Sequence, residues 1–208
     1  MPVNTPAFFL ADARGIDFLN SIATPVDEPV DWIGDGQGLV DWLRQAGLVP
    51  LQQLDEIAEH AMSGELDRVA DQARDLREWF RGFVKRHMGR PLDAGVLEEL
   101  GPINRLLGRD EAYRRIIAHD DGNLALETAR RWRSPESLLI PIGEVMARAV
   151  VEEDFTQVKA CQGPSCTLLF ADHTRGHARR WCSMAVCGNR AKVAAHRTRQ
   201  REATPERQ

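Results

Sequence analysis

Two segments decide the fold of the carboxyl-terminal quarter of this chain: Cys161-Gln-Gly-Pro-Ser-Cys166 and Cys182-Ser-Met-Ala-Val-Cys187. They contain all 4 cysteines of the 208 residues. Four thiolates are the number that tetrahedral zinc binds in a structural site, and they leave no coordination position for water or substrate. The pairs therefore predict a module folded around one structural Zn²⁺, rather than a catalytic metal.

The residues around the cysteines indicate how the module folds. Gly163-Pro164 favours a tight turn inside the first pair, 167–170 has the composition of a short strand, and 173–176 that of a turn. Good helix formers follow Gly188. This order predicts a treble-clef-like zinc finger. His173 and His177 lie close enough in sequence to compete as ligands, but four thiolates already complete the shell, so we expect them outside it. Disulfides are the alternative, although thiols in a reducing compartment more often hold metal.

Charge divides the chain at the same place. Residues 156–208 carry ten Lys/Arg and three Asp/Glu, a net charge of +7, whereas residues 1–155 carry a net charge of -11. A basic module on an acidic body favours a polyanionic partner for the module. The amino terminus lacks the basic residues of a targeting signal, and its apolar runs are too short to span a bilayer. We therefore expect a cytoplasmic protein with no membrane partner.

Apolar periodicity predicts a mainly helical body. Helices are expected at about 36–46, 51–61, 65–88 and 96–107. The helix at 65–88 has the strongest amphipathic pattern, with a stripe of apolar residues along one side. The turn residues 120–123 lie between two extended runs, so a β-hairpin is expected there. Ser134 as a cap and Pro135 in the first turn predict a helix start before 138–151, in which Pro141 either kinks the helix or marks its true beginning.

These elements define the expected fold class. It is α+β: a mostly α-helical N-terminal domain with a small β-hairpin, plus a C-terminal treble-clef-like zinc finger. The expected boundaries are 1–154 for the helical domain, 155–201 for the finger and 202–208 for a flexible tail. Trp32, Trp42, Trp79 and Trp132 are expected in the core, with a role in lining a pocket as the alternative.

The segment from Arg179 to Lys192, which contains Cys187-Gly-Asn-Arg190, resembles the CGNR zinc finger, and Cys161–Cys166 matches the first ligand pair of that family. In this bacterial family the finger usually follows an ABATE domain, which Leu10-Ala-Asp-Ala-Arg-Gly-Ile-Asp-Phe-Leu-Asn20 resembles. The resemblance implies a stress-related transcription regulator that binds zinc and DNA. It also implies the zinc ligands Cys161, Cys166, Cys182 and Cys187.

Basic residues around the second cysteine pair are the candidates for nucleic-acid contact. Some could merely offset the net -2 of Zn²⁺ with four thiolates, but about +5 of the module charge would remain. Arg and Asn suit guanine and adenine edges, so Asn189 and Arg190 are the expected base readers. RNA binding and a purely protein partner are the alternatives. The full expected set is Arg179, Arg180, Asn189, Arg190, Lys192, Arg197, Arg199 and Arg201.

Motifs for catalysis are incomplete. Residues 56–60 lack the second histidine of a metallopeptidase helix, residues 34–38 lack the lysine of a phosphate-binding loop, and 119–121 suit a turn better than a metal site. We therefore expect a protein that is not an enzyme. The alternative function is a body that binds a small-molecule effector or carries out catalysis, with the finger as a structural or protein- or RNA-interaction module.

Overall fold

The computed structural model describes residues 6–24 and 28–193. The expected nucleic-acid contacts Arg197, Arg199 and Arg201 and the tail 202–208 lie outside these residues. The body has the helices α1 (Arg14–Leu19), α2 (Gly36–Ala46), α3 (Leu51–His60), α4 (Glu65–His87), α5 (Gly101–Leu107) and α6 (Leu139–Glu152). It also has two antiparallel strand pairs, β1 (Ile22–Ala23) with β2 (Val30–Asp31) and β3 (Ala112–Ala118) with β4 (Leu124–Arg130). A third antiparallel pair, β5 (Val158–Ala160) with β6 (Leu169–Ala171), belongs to the cysteine module. The expected fold class is confirmed for the described part of the chain.

The long helix α4 is the central support of the body. Its apolar residues recur at three- and four-residue steps, and this stripe is completely buried at Val69, Ala73, Phe80 and Phe83. The stripe packs against α1, α2 and α6. The predicted helix at 65–88 is therefore confirmed.

Local end signals explain why α2 was predictable. The side chain of Asp35 accepts a hydrogen bond from Gly38 N at 2.8 Å, which satisfies a free amide of the first turn. Gly47 ends the helix in the left-handed conformation with φ of 65°. The predicted span of about 36–46 is confirmed.

Two helix predictions need correction. The single helix expected at 96–107 is a 3₁₀ segment, Ala94–Glu98, followed by α5, because Pro102 lacks the amide needed to continue a helix and fits only a first turn. Ser134 lies at the start of a 3₁₀ turn, Pro135–Leu138, but its side chain makes no capping bond, and α6 begins at Leu139. Pro141 lies in the first turn of α6, where it is tolerated.

The hairpin forms where the sequence predicted it. Ile116 pairs with Leu126, and Gly122 takes a φ of 81° in the connecting turn. Of the four tryptophans expected in the core, Trp32 and Trp42 are buried, whereas Trp79 and Trp132 are only half-buried. Among the described residues, no helix is both long and apolar enough to cross a membrane.

The cysteine module is docked on the body through the amino-terminal segment and α1. Ala171 N donates to Ala11 O at 2.8 Å, and the Asn20 side chain both donates to Leu169 O at 2.8 Å and accepts from Leu169 N at 3.0 Å. Leu168 and Phe170 are fully buried and belong to the same hydrophobic cluster as α4 and α6. The module and the body therefore share one core.

Candidate metal centre and nucleic-acid interface

Among the described residues, the one group of three or more potential metal ligands consists of Cys161, Cys166, Cys182 and Cys187, whose sulfur atoms all lie within 4.8 Å of one another. Cys182 Sγ is 3.9 Å from Cys166 Sγ and 3.6 Å from Cys187 Sγ. A tetrahedron with Zn–S bonds of about 2.3 Å has sulfur–sulfur edges of about 3.8 Å. The spacing of the sulfurs thus fits Zn²⁺ with four thiolate ligands.

The backbone shapes this cage. Gly163 N and Cys182 N point at Cys161 Sγ, at 3.4 and 3.3 Å, and Cys166 N donates to Gly163 O at 3.1 Å to close the turn. A Cβ on Gly163 would lie 3.0 Å from Cys187 Sγ, so a glycine is needed at this point of the knuckle. Backbone amides aimed at sulfur stabilise thiolate charge.

The thiols of the cage differ in their affinity for a proton. The hydrogen bond from Cys182 lowers the pKa of Cys166 to about 5, and that same bond raises the pKa of Cys182 far above the usual thiol value. Burial raises the pKa of Cys187 to about 12. The protein alone thus favours one thiolate with neighbouring thiols as donors, whereas a bound dication compensates the repulsion among four thiolates.

The two module histidines lie outside the cysteine group. His173 Nε2 is 2.6 Å from Glu153 Oε2, and His177 Nδ1 is 3.0 Å from Asp172 O. Both rings therefore have partners that agree with their expected place outside the metal shell.

Asp172 organises the loop between the cysteine pairs. This buried carboxylate accepts from Lys159 Nζ at 2.7 Å, from Thr174 Oγ1 at 2.5 Å and from Arg179 N at 2.9 Å. Burial alone would raise the pKa of Asp172, but these hydrogen bonds outweigh it and hold the pKa well below its usual range. Asp172 stays ionised and fixes the path of the chain toward Cys182.

Arg179 links the metal centre to the body. Its guanidinium donates to Leu10 O at 2.7 Å and to Cys182 O, forms an ion pair with Asp12, and lies 4.3 Å from the centre of the Phe170 ring. The side chain is 17% exposed. Because its donors are engaged within the protein, Arg179 serves the contact between module and body and offers little to a nucleic acid.

The other described candidates lie on the surface beside the metal centre. Arg180 Nε donates to Gln162 Oε1 at 2.7 Å, and its guanidinium stacks 4.8 Å from the Trp181 ring centre. Asn189, Arg190 and Lys192 are exposed in the helical residues 189–193 that follow the turn Met184–Gly188. Three cationic side chains and one amide are therefore exposed in the segments that flank the second cysteine pair.

Sequence reasoning missed the residues that dock the module. Asp12, Asp17 and Asn20 lie in the segment that resembles the ABATE domain: Asp12 pairs with Arg179, Asn20 binds Leu169, and Asp17 Oδ1 accepts from Ala11 N at 2.9 Å. Burial raises the pKa of Asp17 to about 6. The available signal was the presence of Asp17 and Asn20 between apolar residues in and after α1, because polar side chains in such a segment are buried only where they find hydrogen-bond partners.

This combination of a helical body and a docked four-cysteine cage defines a zinc-finger protein. Comparison with known families supports that class: residues 12–156 match ABATE, described as a "putative stress-induced transcription regulator", and residues 157–200 match the CGNR zinc finger. The chain belongs to the ABATE family, and its cofactor is one structural zinc ion. A comparison with curated proteins found no match.

Proposed function

We propose that this protein is a DNA-binding transcription regulator whose zinc finger contacts duplex DNA. In this proposal Cys161, Cys166, Cys182 and Cys187 hold the zinc ion, which fixes the chain on both sides of the second pair. The observation that carries the proposal is the exposure of Arg180, Asn189, Arg190 and Lys192, which flank the second cysteine pair of the cage.

Electrostatics supports a polyanion as the partner of this surface. Residues 156–208 carry a net charge of +7 against -11 for the rest of the chain. A zinc tetrathiolate subtracts two units, so about +5 is left for a partner. The acidic body repels phosphates, and we therefore expect DNA to meet the molecule from the side of the finger.

The four residues are proposed to have different roles. Asn189 and Arg190, at the beginning of the helical residues after the cage, present donor groups that can read adenine and guanine edges. Arg180 and Lys192 suit phosphate contacts, which position a protein on the duplex without reading sequence. The predicted contacts at Arg197, Arg199 and Arg201 continue the same segment.

The family description supports regulation of transcription in response to stress as the biological role, with binding rather than catalysis as the activity. A cytoplasmic location is part of the proposal, because transcription regulators act where the DNA is. The bound metal would support this role structurally, because a four-sulfur shell leaves no open coordination position.

Fluorescence anisotropy with labelled duplex DNA and zinc-loaded protein tests the proposal. If about five cations meet phosphates, log K falls with log salt at a slope of roughly -4.5. Arg190→Ala and Lys192→Ala should weaken binding without unfolding the protein, whereas Arg148→Ala, a surface arginine on α6, is the matched control. Cys182→Ala should unfold the finger. Absence of binding to any duplex at low salt, or tighter binding to RNA of the same sequence, would overturn the proposal.

A further inference from the structure

A cleft of about 390 Å³ opens between the end of α3, the beginning of α4 and the segment that follows β4. Its size lies within the range of about 300–1,000 Å³ that is typical of small-molecule sites. Apolar side chains line part of its wall, among them Ile57, Met62, Trp132 and Pro135. Met62 is 70% exposed, although large apolar residues usually avoid water. The cleft therefore offers a ligand apolar surface that the protein itself does not cover.

Trp132 forms the boundary between this cleft and a second one beneath the hairpin. The guanidinium of Arg130 lies 5.4 Å from the Trp132 ring centre, and Arg130 lines the second cleft and the neighbouring pocket at Arg109. The ring thus already attracts one cation. Trp132 is half-buried and also lines the first cleft, so a ligand in that cleft can contact the indole.

The polar lining of the first cleft is rich in hydrogen-bond acceptors. Glu56 accepts from Gln52 through Oε1 only, and Glu65 accepts from Met62 N through Oε2 only, so each carboxylate keeps one oxygen without a donor among the described residues. His60 Nδ1 contacts Glu56 O at 2.7 Å, which makes Nδ1 the donor and leaves Nε2 of the neutral ring as an acceptor.

The net charge of the lining is negative. Its one arginine, Arg133, is paired with Glu111 at 2.7 Å, so it offsets neither Glu56 nor Glu65 in full. The last turn of α3 also borders the cleft at His60, and the free carbonyl groups at a helix C-terminus favour positive charge. An anionic ligand would meet two carboxylates here, whereas a cation would find an aromatic face and several acceptors.

We propose that this cleft binds an amphipathic organic cation with a planar aromatic ring. The ring packs on Trp132 and the neighbouring apolar side chains, and the charge lies toward Glu56 and Glu65. The proposal does not depend on DNA binding by the finger, since the cleft is built only from residues of the body.

A titration with proflavine, a planar aromatic cation, tests this with full-length, zinc-loaded protein in the absence of DNA. Acridine is the matched probe, because it has the same ring system and is uncharged at pH 8. Fluorescence anisotropy should report one proflavine per chain and an affinity about tenfold higher than for acridine.

Variants locate the site. Glu56→Gln combined with Glu65→Gln should weaken proflavine binding about tenfold, and so should Trp132→Leu, whereas Glu59→Gln, an exposed change on α3 outside the cleft, should leave it unchanged. The carboxylate variant keeps a side-chain oxygen that can accept from Gln52 and from Met62 N, so it remains informative if Trp132→Leu does not fold. No proflavine binding, equal affinity for acridine, or binding that the carboxylate variant leaves unchanged would overturn the proposal.

Discussion

Replacing Arg179 by lysine separates a docking role from a nucleic-acid role, because lysine keeps the charge but loses the planar fork. Arg179→Lys would leave Leu10 O and Cys182 O short of a donor and remove the stacking over Phe170. Each unsatisfied buried carbonyl costs about 1 kcal/mol and the stacked cation about 1 kcal/mol more, so the free energy of unfolding should fall by about 3 kcal/mol. For a chain of this size the midpoint of thermal unfolding should fall by about 6 to 12 °C.

Two measurements on the same variant decide the matter. Thermal and urea unfolding report stability, and DNA anisotropy at a temperature well below the transition reports binding. Arg175→Lys is the control, since Arg175 is exposed in the same module. A variant of normal stability with weakened DNA binding would refute the reasoning, because it would mean that Arg179 acts on the ligand and not on the fold.

Three further predictions concern the core and the cage. Asp17 has a folded pKa of about 6, above its unfolded value, so its contribution is complete below the unfolded pKa and is lost as pH rises through 6. As the pH rises from 4 to 7.5, the free energy of unfolding of Asp17→Asn should therefore increase by about 2 kcal/mol relative to that of the wild type, measured by urea unfolding. Parallel pH curves for the two proteins would contradict this. Arg77, which is 2% exposed, binds both carboxylate oxygens of Asp31 at 2.7 and 2.8 Å. Arg77→Met should lower the free energy of unfolding by about 3 kcal/mol, because it leaves the Asp31 charge without its partner. Adding Asp31→Asn removes that charge and should recover part of the loss in the same assay. Gly163→Ala should weaken zinc binding at least about tenfold in a chelator competition, because its Cβ would press on a sulfur 3.0 Å away, while Gly176→Ala, with open space around it, should not.

The sequence was sufficient for elements that local chemistry specifies. Asp35 and Gly47 bound α2, and the turn around Gly122 sets the hairpin, because caps and turns act within a few residues. The cysteine cage was predictable for a different reason. Four ligands in two pairs have few ways to converge except on one ion.

Predictions were wrong where a proline or a cap competes with periodicity. The apolar residues at 96–107 have helical spacing throughout, yet a new helix begins at Gly101 because Pro102 has no amide hydrogen to continue the preceding one. The spacing of apolar residues carries no information about this lost hydrogen bond. Ser134 had the right type and position for a cap, but whether its hydroxyl reaches an amide depends on a geometry that the sequence does not specify.

The contacts between body and finger show why the charge asymmetry of the sequence did not by itself predict how much positive charge is available to a partner. The net count of +7 already subtracts Asp172, which pairs with Lys159 within the module, but it treats Arg179 as available to a partner, whereas Arg179 neutralises Asp12 of the body. Both ion pairs join residues far apart in sequence, or across a loop, so they follow from the fold and not from composition. The charge that can meet DNA is therefore smaller than the count, and among the described candidates it belongs to the exposed side chains of Arg180, Arg190 and Lys192. Substitutions at Arg190 and Lys192 therefore test whether DNA binding depends on these exposed cations or on the net charge of the module as a whole.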